Sequence, residues 1–286
     1  MKWPGQPLHM SDTQLRANSG SRLTLCGSLS LHPVSTGAAM HLAGYRALEL
    51  PFTYVPFAVT DLEGAVRGMR ALGVRGLGVS MPYKQAVIPL VDALDPVAAR
   101  IGAVNTLVND GGRVTGHNTD WIGAVRALEE VTPLAGKRVL LLGAGGAARA
   151  IAFGLRERGA AVRIANRDRG KAERLAEEAG AEAAALDDGV FGGGDEVIVN
   201  ATSRGMAEVD ARSPVPEEAL RPGLVVMDIV YKPMATELVE AARRRGAVAI
   251  HGGRMLLHQA AEQFRLYTGQ PAPLQAMDDA LQAQLG

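Results

Sequence analysis

Residues 139–150 read VLLLGAGGAARA: four apolar residues, Val139 to Leu142, run straight into a glycine cluster and then into ARAIAFGLRERG. A short apolar run bounded by glycine predicts a buried strand, and the alanine-rich segment after it predicts a helix. Between the two, Gly143, Gly145 and Ala148 fit G-x-G-x-x-G/A. That turn brings backbone N–H groups to the start of a helix, where the peptide dipole favours a pyrophosphate. Gly143, Ala144, Gly145, Gly146 and Ala147 are therefore expected to line a dinucleotide site.

The strand–turn–helix unit is repeated downstream. AVRIANR, EVIVNAT, LVVMDIV and AVAIHGG are further compact apolar runs, separated by helical segments or loops such as GKAERLAEEAG. Upstream, FTYVPFAV, LEGAVRGMRAL and GLGVSM alternate in the same way, and a helix is expected from about Lys84. Strands alternating with helices predict an α/β protein built of βαβ units. The expected architecture is two domains: a parallel or mixed α/β domain over 22–119, completed by C-terminal helices over 256–286, and a Rossmann-type doubly wound domain over 120–255. Residues 1–21 are expected to form a loose tail.

A chain of 286 residues is long enough for two such cores. Thirty Lys and Arg balance thirty Asp and Glu, so no bulk charge draws the chain to nucleic acid or to an anionic membrane. The start MKWPGQPLHMSDTQLRANSG lacks the basic-then-apolar order of a signal peptide, and no apolar run reaches membrane-spanning length. The single cysteine, Cys26, lies in the apolar LTLC and reads as a core thiol. These features predict a cytoplasmic protein; the expected partner is a small-molecule substrate, and the sequence does not choose between monomer and homodimer. His32 and His41 are too far apart, with no Cys or acid nearby, to suggest a metal site.

About twenty residues beyond the glycine turn, a Rossmann site shows how it treats the adenosine ribose: an acid takes the 2′-hydroxyl, whereas arginine accepts a 2′-phosphate. Here the second strand ends in Asn166 and Arg167, which predicts NADP. Asp168, one residue on, leaves NAD open.

Three stretches of the first half, GVSMPYK at 78–84, IGAVNTLV at 101–108 and GHNTDWIG at 116–123, together resemble the shikimate dehydrogenase family, including its quinate/shikimate branch. NATSRGM at 200–206, DIVYKP at 228–233 and GGRMLLHQAAEQF at 252–264 extend the resemblance from about Leu23 to the C-terminus. It implies interconversion of 3-dehydroshikimate and shikimate by hydride transfer with NADP. Lys84 and Asp120 would then be the catalytic pair beside the hydroxyl that is oxidised. The chemistry agrees, because hydride cannot leave a secondary alcohol unless the O–H proton leaves too, and a positioned lysine can take it. Without the motifs, Lys84 reads as an exposed lysine starting a helix and Asp120 as a helix N-cap.

The resemblance further implies that Asn105, Gln259 and Ser80 bind substrate hydroxyls, that Tyr231 lines the cleft, that Thr202 belongs to the cofactor site, and that Met255 packs near the nicotinamide. Asn105 as a structural amide, Tyr231 as a packing aromatic and Met255 as a core residue are the alternatives.

Two departures bear on the substrate. The family opens with H-S-x-S-P-x-x-H-N, whose two hydroxyls bind the substrate carboxylate; this chain has LSLHPVSTGAAMHLAGY. Anchored on His41, Ser35 takes the first hydroxyl position and Gly37 the second, so one donor is missing unless Thr36 or Ser30 replaces it. Gly78 stands where the family has asparagine. The alternatives are a paralogue acting on quinate, an aminoshikimate or another cyclic polyol acid, and a non-catalytic nicotinamide-binding regulator; the latter would need neither Lys84 nor Asp120.

Overall fold

The structure is a computed structural model that describes residues 23–187 and 189–285; the expected tail at 1–21 lies outside the described residues. The first sheet is formed by β1 (Thr24–Ser30), β2 (Phe52–Ala58), β3 (Gly76–Val79), β4 (Ala93–Leu94), β5 (Thr106–Asp110) and β6 (Arg113–His117), in the order β2-β1-β3-β5-β6-β4. The sheet is mixed. β1, β2 and β3 run parallel, whereas β5 is antiparallel to both β3 and β6. A two-residue turn at Gly111-Gly112, with φ of 61° and 98°, joins β5 to β6; both positions need the left-handed backbone that glycine adopts freely.

The helices of this half are α1 (Thr36–Ala47), α2 (Leu62–Leu72), the single turn α3 (Tyr83–Ala86) and α4 (Pro96–Ile101). The helix expected from Lys84 is thus only one turn, followed by a 3-10 turn at Ile88–Leu90 that contains Pro89. α5 (Asp120–Glu129) then leads into the second sheet.

That sheet comprises β7 (Arg138–Leu142), β8 (Ala161–Ala165), β9 (Glu182–Ala184), β10 (Val197–Asn200), β11 (Val225–Asp228) and β12 (Val248–Ile250), all parallel, in the order β12-β11-β10-β7-β8-β9. α6 (Gly146–Glu157), α7 (Arg169–Ala179) and α8 (Glu237–Arg244) supply its crossovers. Five of these strands are the apolar runs of the sequence. β9 is not signalled there, because Glu-Ala-Ala has little strand propensity and is held only by its pairing with Arg163–Ala165. Strand order reverses between β7 and β10, and in a doubly wound sheet a ligand crevice opens at that point.

The chain then returns to the first sheet. α9 (Gly252–Thr268) and α10 (Leu274–Leu285) place Leu257, Phe264, Tyr267, Met277 and Leu281 in one core with Cys26, Met40 and Tyr45 from β1 and α1. Cys26 is fully buried there, which pushes its thiol up to about 11 and keeps it unreactive at neutral pH. α9 also crosses α5 at Gly123, where a Cβ would come within 2.6 Å of the Met255 carbonyl oxygen and 3.0 Å of Gln259 Cβ. No described helix is long and apolar enough to cross a membrane.

Candidate active site

Because β1 and β3 are parallel, the loops that follow them leave the same edge of the first sheet. Ser80 follows β3, its N–H donating to the Leu29 carbonyl at 3.0 Å, and its exposed side chain is followed by the turn that carries Lys84. Asp120 reaches the same place as the first residue of α5, where its N–H donates to Asn118 Oδ1 at 3.0 Å. Thr119, not Asp120, occupies the N-cap.

Lys84 Nζ donates to Asp120 Oδ2 at 2.6 Å. The aspartate side chain is only 7 % exposed and the lysine 29 %. A buried carboxylate this short of solvent needs partners, and it has two. The second is Asn105 Nδ2, which donates to Asp120 Oδ1 at 2.9 Å. Asn105, 1 % exposed, also donates to Thr119 Oγ1 at 3.0 Å, so both its amide protons are used within the protein. Here Asn105 acts on Asp120, and a ring hydroxyl reaches its donors only by displacing one of these contacts. The sequence named Lys84 and Asp120 as a pair but did not show this coupling to Asn105.

Gln259, half-buried on α9, is brought against α5 by the close crossing at Gly123. Tyr231, 37 % exposed, lies in the loop after β11. Met255 lies in the core shared with Ala124, Val125 and Trp121, and its side chain packs there rather than lining the cavity below. Ser35 precedes α1 without capping it, and its hydroxyl donates to Gln284 Oε1 on α10 at 3.1 Å, away from Lys84 as a partner. A Cβ on Gly37 would meet nothing within 4 Å.

At the switch point between β7 and β10 lies a cavity of about 760 Å³. Gly143, Ala144, Gly145, Asn166, Arg167, Thr202 and Ser203 are among its lining residues. Gly143 has φ of 111°, and a Cβ there would strike the Ala201 carbonyl oxygen at 2.8 Å. A Cβ on Gly145 or Gly146 would meet nothing within 4 Å. The bare backbone at the start of α6 thus faces open space with its unpaired first-turn N–H groups. Ala147 is the second residue of that helix, and Ala148, the third, is fully buried. Arg149, in the same stretch, turns away and donates to Arg100 O at 3.1 Å, bracing α6 against α4.

Arg167 is exposed at the end of β8, and among the described residues it has no ion-pair partner. Asp168 caps α7 instead, accepting from Lys171 N at 3.1 Å, and does not line the cavity. A groove lined by bare amides and by a guanidinium with no ion-pair partner among the described residues fits a dinucleotide with an extra phosphate. Thr202 is fixed by Asn200 Oδ1, which accepts from its hydroxyl at 2.6 Å, and Asn200 in turn donates to the buried Asp228 at 2.9 Å. Burial raises the Asp228 carboxyl above the ordinary aspartate range. The sequence did not single out Arg204, Asp210 and Arg212, which also line the cavity: the Asp210 carboxylate accepts from both arginines and is lowered to about 2, chiefly by Arg212. They sit on a loop with no periodic pattern.

Three family patterns match the chain in order: the shikimate dehydrogenase substrate binding domain over 32–107, shikimate/quinate 5-dehydrogenase over 126–210, and the shikimate 5′-dehydrogenase C-terminal domain over 252–282. A protein of Methanothermobacter thermautotrophicus named shikimate dehydrogenase (NADP(+)) is 46 % identical over 268 residues, covering 89 % of this chain and 94 % of its own. Among solved structures, a shikimate dehydrogenase in complex with NADP+ matches with a TM-score of 0.87 at 36 % identity, over 92 % of this chain and 96 % of that one. The Thermus thermophilus enzyme in complex with NADP(H) and shikimate matches with a TM-score of 0.83 at 36 % identity, over 92 % and 99 %. Similarity along nearly the whole of both chains, on a fold whose two sheets carry a Lys–Asp pair and a dinucleotide crevice, shows that the chain belongs to the shikimate dehydrogenase family.

Proposed function

We propose that this protein interconverts shikimate and 3-dehydroshikimate with NADP, and that Lys84 and Asp120 handle the proton. The 2.6 Å contact between Lys84 Nζ and Asp120 Oδ2 is the observation that carries the reading. NADP, when bound, accepts or gives the hydride; Gly143–Ala147, Thr202, Asn166 and Arg167 would hold it. A lysine ammonium has three donors, and Asp120 takes one, leaving two for a substrate oxygen. In the reducing direction Lys84 gives its proton to the carbonyl oxygen as hydride arrives at carbon; in the oxidising direction the neutral amine takes it back. Asp120 fixes where Nζ points. Ser80, Gln259 and Tyr231 would contact the ring from the surrounding edge.

The relatives named above are NADP enzymes, and capping of α7 by Asp168 leaves Arg167 as the residue facing an adenosine ribose. We read the division of the chain as 22–119 with 256–286, and 120–255, in the cytoplasm, as a monomer or homodimer. A scan of shikimate, quinate and related cyclic acids with NADP and with NAD, followed by absorbance of the reduced cofactor, tests the assignment. Reduction of NADP with shikimate faster than with any other pairing is expected; turnover of none of them overturns it.

One donor to the substrate carboxylate is missing at Gly37. Losing a hydrogen bond to a charged acceptor costs about 1.5–3 kcal/mol, or about ten- to a hundred-fold in affinity. Gly37→Ser has room for its side chain and is expected to lower KM for shikimate on that scale. An unchanged KM, with the wild-type protein already using shikimate well, assigns the second donor to Thr36, Ser30 or a backbone amide.

A further inference from the structure

We propose that Gln263 and Thr106 are positioning residues for the catalytic pair: a buried hydrogen-bond chain from His41 through Gln263 and Thr106 fixes the Asn105 amide, and Asn105 in turn holds the Asp120 carboxylate on Lys84. The inference rests on the proposed roles of Lys84 and Asp120. Gln263 stands on α9 one turn beyond Gln259, is 5 % exposed, and belongs to none of the roles assigned above. Its Nε2 donates to the Asn105 carbonyl oxygen at 3.3 Å and to Thr106 Oγ1 at 2.9 Å. Thr106 Oγ1 donates to Asn105 Oδ1 at 2.8 Å, and Asn105 Nδ2 donates to Asp120 Oδ1 at 2.9 Å.

The direction of each link is set by a group that has only one role. A backbone carbonyl can only accept, so the side of Gln263 facing Asn105 O must be its NH₂. Its Oε1 therefore faces His41 Nε2, at 3.4 Å, and His41 must carry its proton on that nitrogen. Burial lowers the His41 pKa to about 4, so the ring is neutral, and Nδ1 is left buried without a partner. At the other end, the Thr119 N–H can only donate, and it does so to Asn105 Oδ1 at 2.7 Å. Together with the Thr106 hydroxyl it settles the orientation of Asn105. Were that amide reversed, its oxygen would face the Asp120 carboxylate and repel it. Gly78 lies against this arrangement: a Cβ there would sit 3.4 Å from Gln263 Nε2 and 3.3 Å from Tyr54 Oη, so a longer side chain at 78 would press on Gln263.

Thr106→Val keeps shape and removes the hydroxyl; Thr106→Ser keeps the hydroxyl. With the proposed shikimate reaction as assay, Thr106→Val is expected to lower kcat about three- to ten-fold, the scale of one buried hydrogen bond, while the Kd for NADP stays unchanged and Thr106→Ser recovers at least half the rate. Gln263→Met is expected to lower kcat by a similar factor, and it stands in for Thr106→Val if that variant does not fold. Equal kcat in the valine variant and wild type overturns the proposal. So does a serine variant no faster than the valine one, since packing alone would then explain the loss. Wild-type protein with no dehydrogenase activity on any alcohol refutes the underlying functional reading instead, and that outcome is distinct from both.

Discussion

Lys84→Ala is expected to lower kcat by about 10²- to 10⁴-fold, the usual contribution of a positioned general acid/base, with KM changed much less. Lys84 Nζ is partly open to solvent and tied to the protein by one short bond to Asp120, so its removal leaves the sheet and its core in place. What disappears is the group that moves the proton. Steady-state rates at saturating shikimate and NADP measure it, and near wild-type turnover refutes the assignment. Asp120→Asn is expected to act on kcat as well, with an added stability loss, because the side chain is buried and bonded to Asn105 and Lys84 at the start of its helix.

Arg167→Ala is expected to weaken NADP binding by about 1.5–3 kcal/mol and leave NAD nearly untouched, because a charge-assisted bond to the 2′-phosphate is lost while the shared contacts remain. The side chain is exposed and has no ion-pair partner among the described residues, so the substitution should disturb little else. Titration of each cofactor against protein fluorescence separates the cases. Equal loss for both cofactors assigns Arg167 a packing role, and a wild-type preference for NAD returns the ribose contact to Asp168.

Much of this is legible in the sequence alone. VLLLGAGGAARA announces its strand, turn and helix because each local preference agrees with the fold around it. Lys84 and Asp120 stood out through their motifs. What stayed hidden depends on contacts between distant segments. The Asn105 amide is turned by Thr106 and Thr119, and Gln263 arrives from 158 residues away along the chain. Asp168 reads in the sequence as an acid within reach of a ribose, and the bond it accepts from Lys171 N at the start of α7 appears only in the fold. Met255 has the apolar character of either a cofactor wall or a core residue, and its place beside Ala124 and Val125 comes from the return of α9 to α5. Ser35 faces Gln284 because α1 and α10 lie together, which no local pattern encodes.

The return of the chain to its first sheet also sets an order of assembly. Strands β7 to β12 are contiguous in sequence and can close their sheet as soon as they are synthesised. The core around Cys26, Met40 and Tyr45 cannot, since Phe264, Tyr267, Met277 and Leu281 emerge from the ribosome only after β7 to β12. During translation the earliest-made sheet therefore waits longest, with an apolar face bare. A chain ending at residue 251 should bind a hydrophobic dye strongly and favour chaperone capture, and adding residues 252–286 in trans should suppress the dye signal. Dye binding no stronger than that of the full-length protein would show that the first sheet closes without its C-terminal helices.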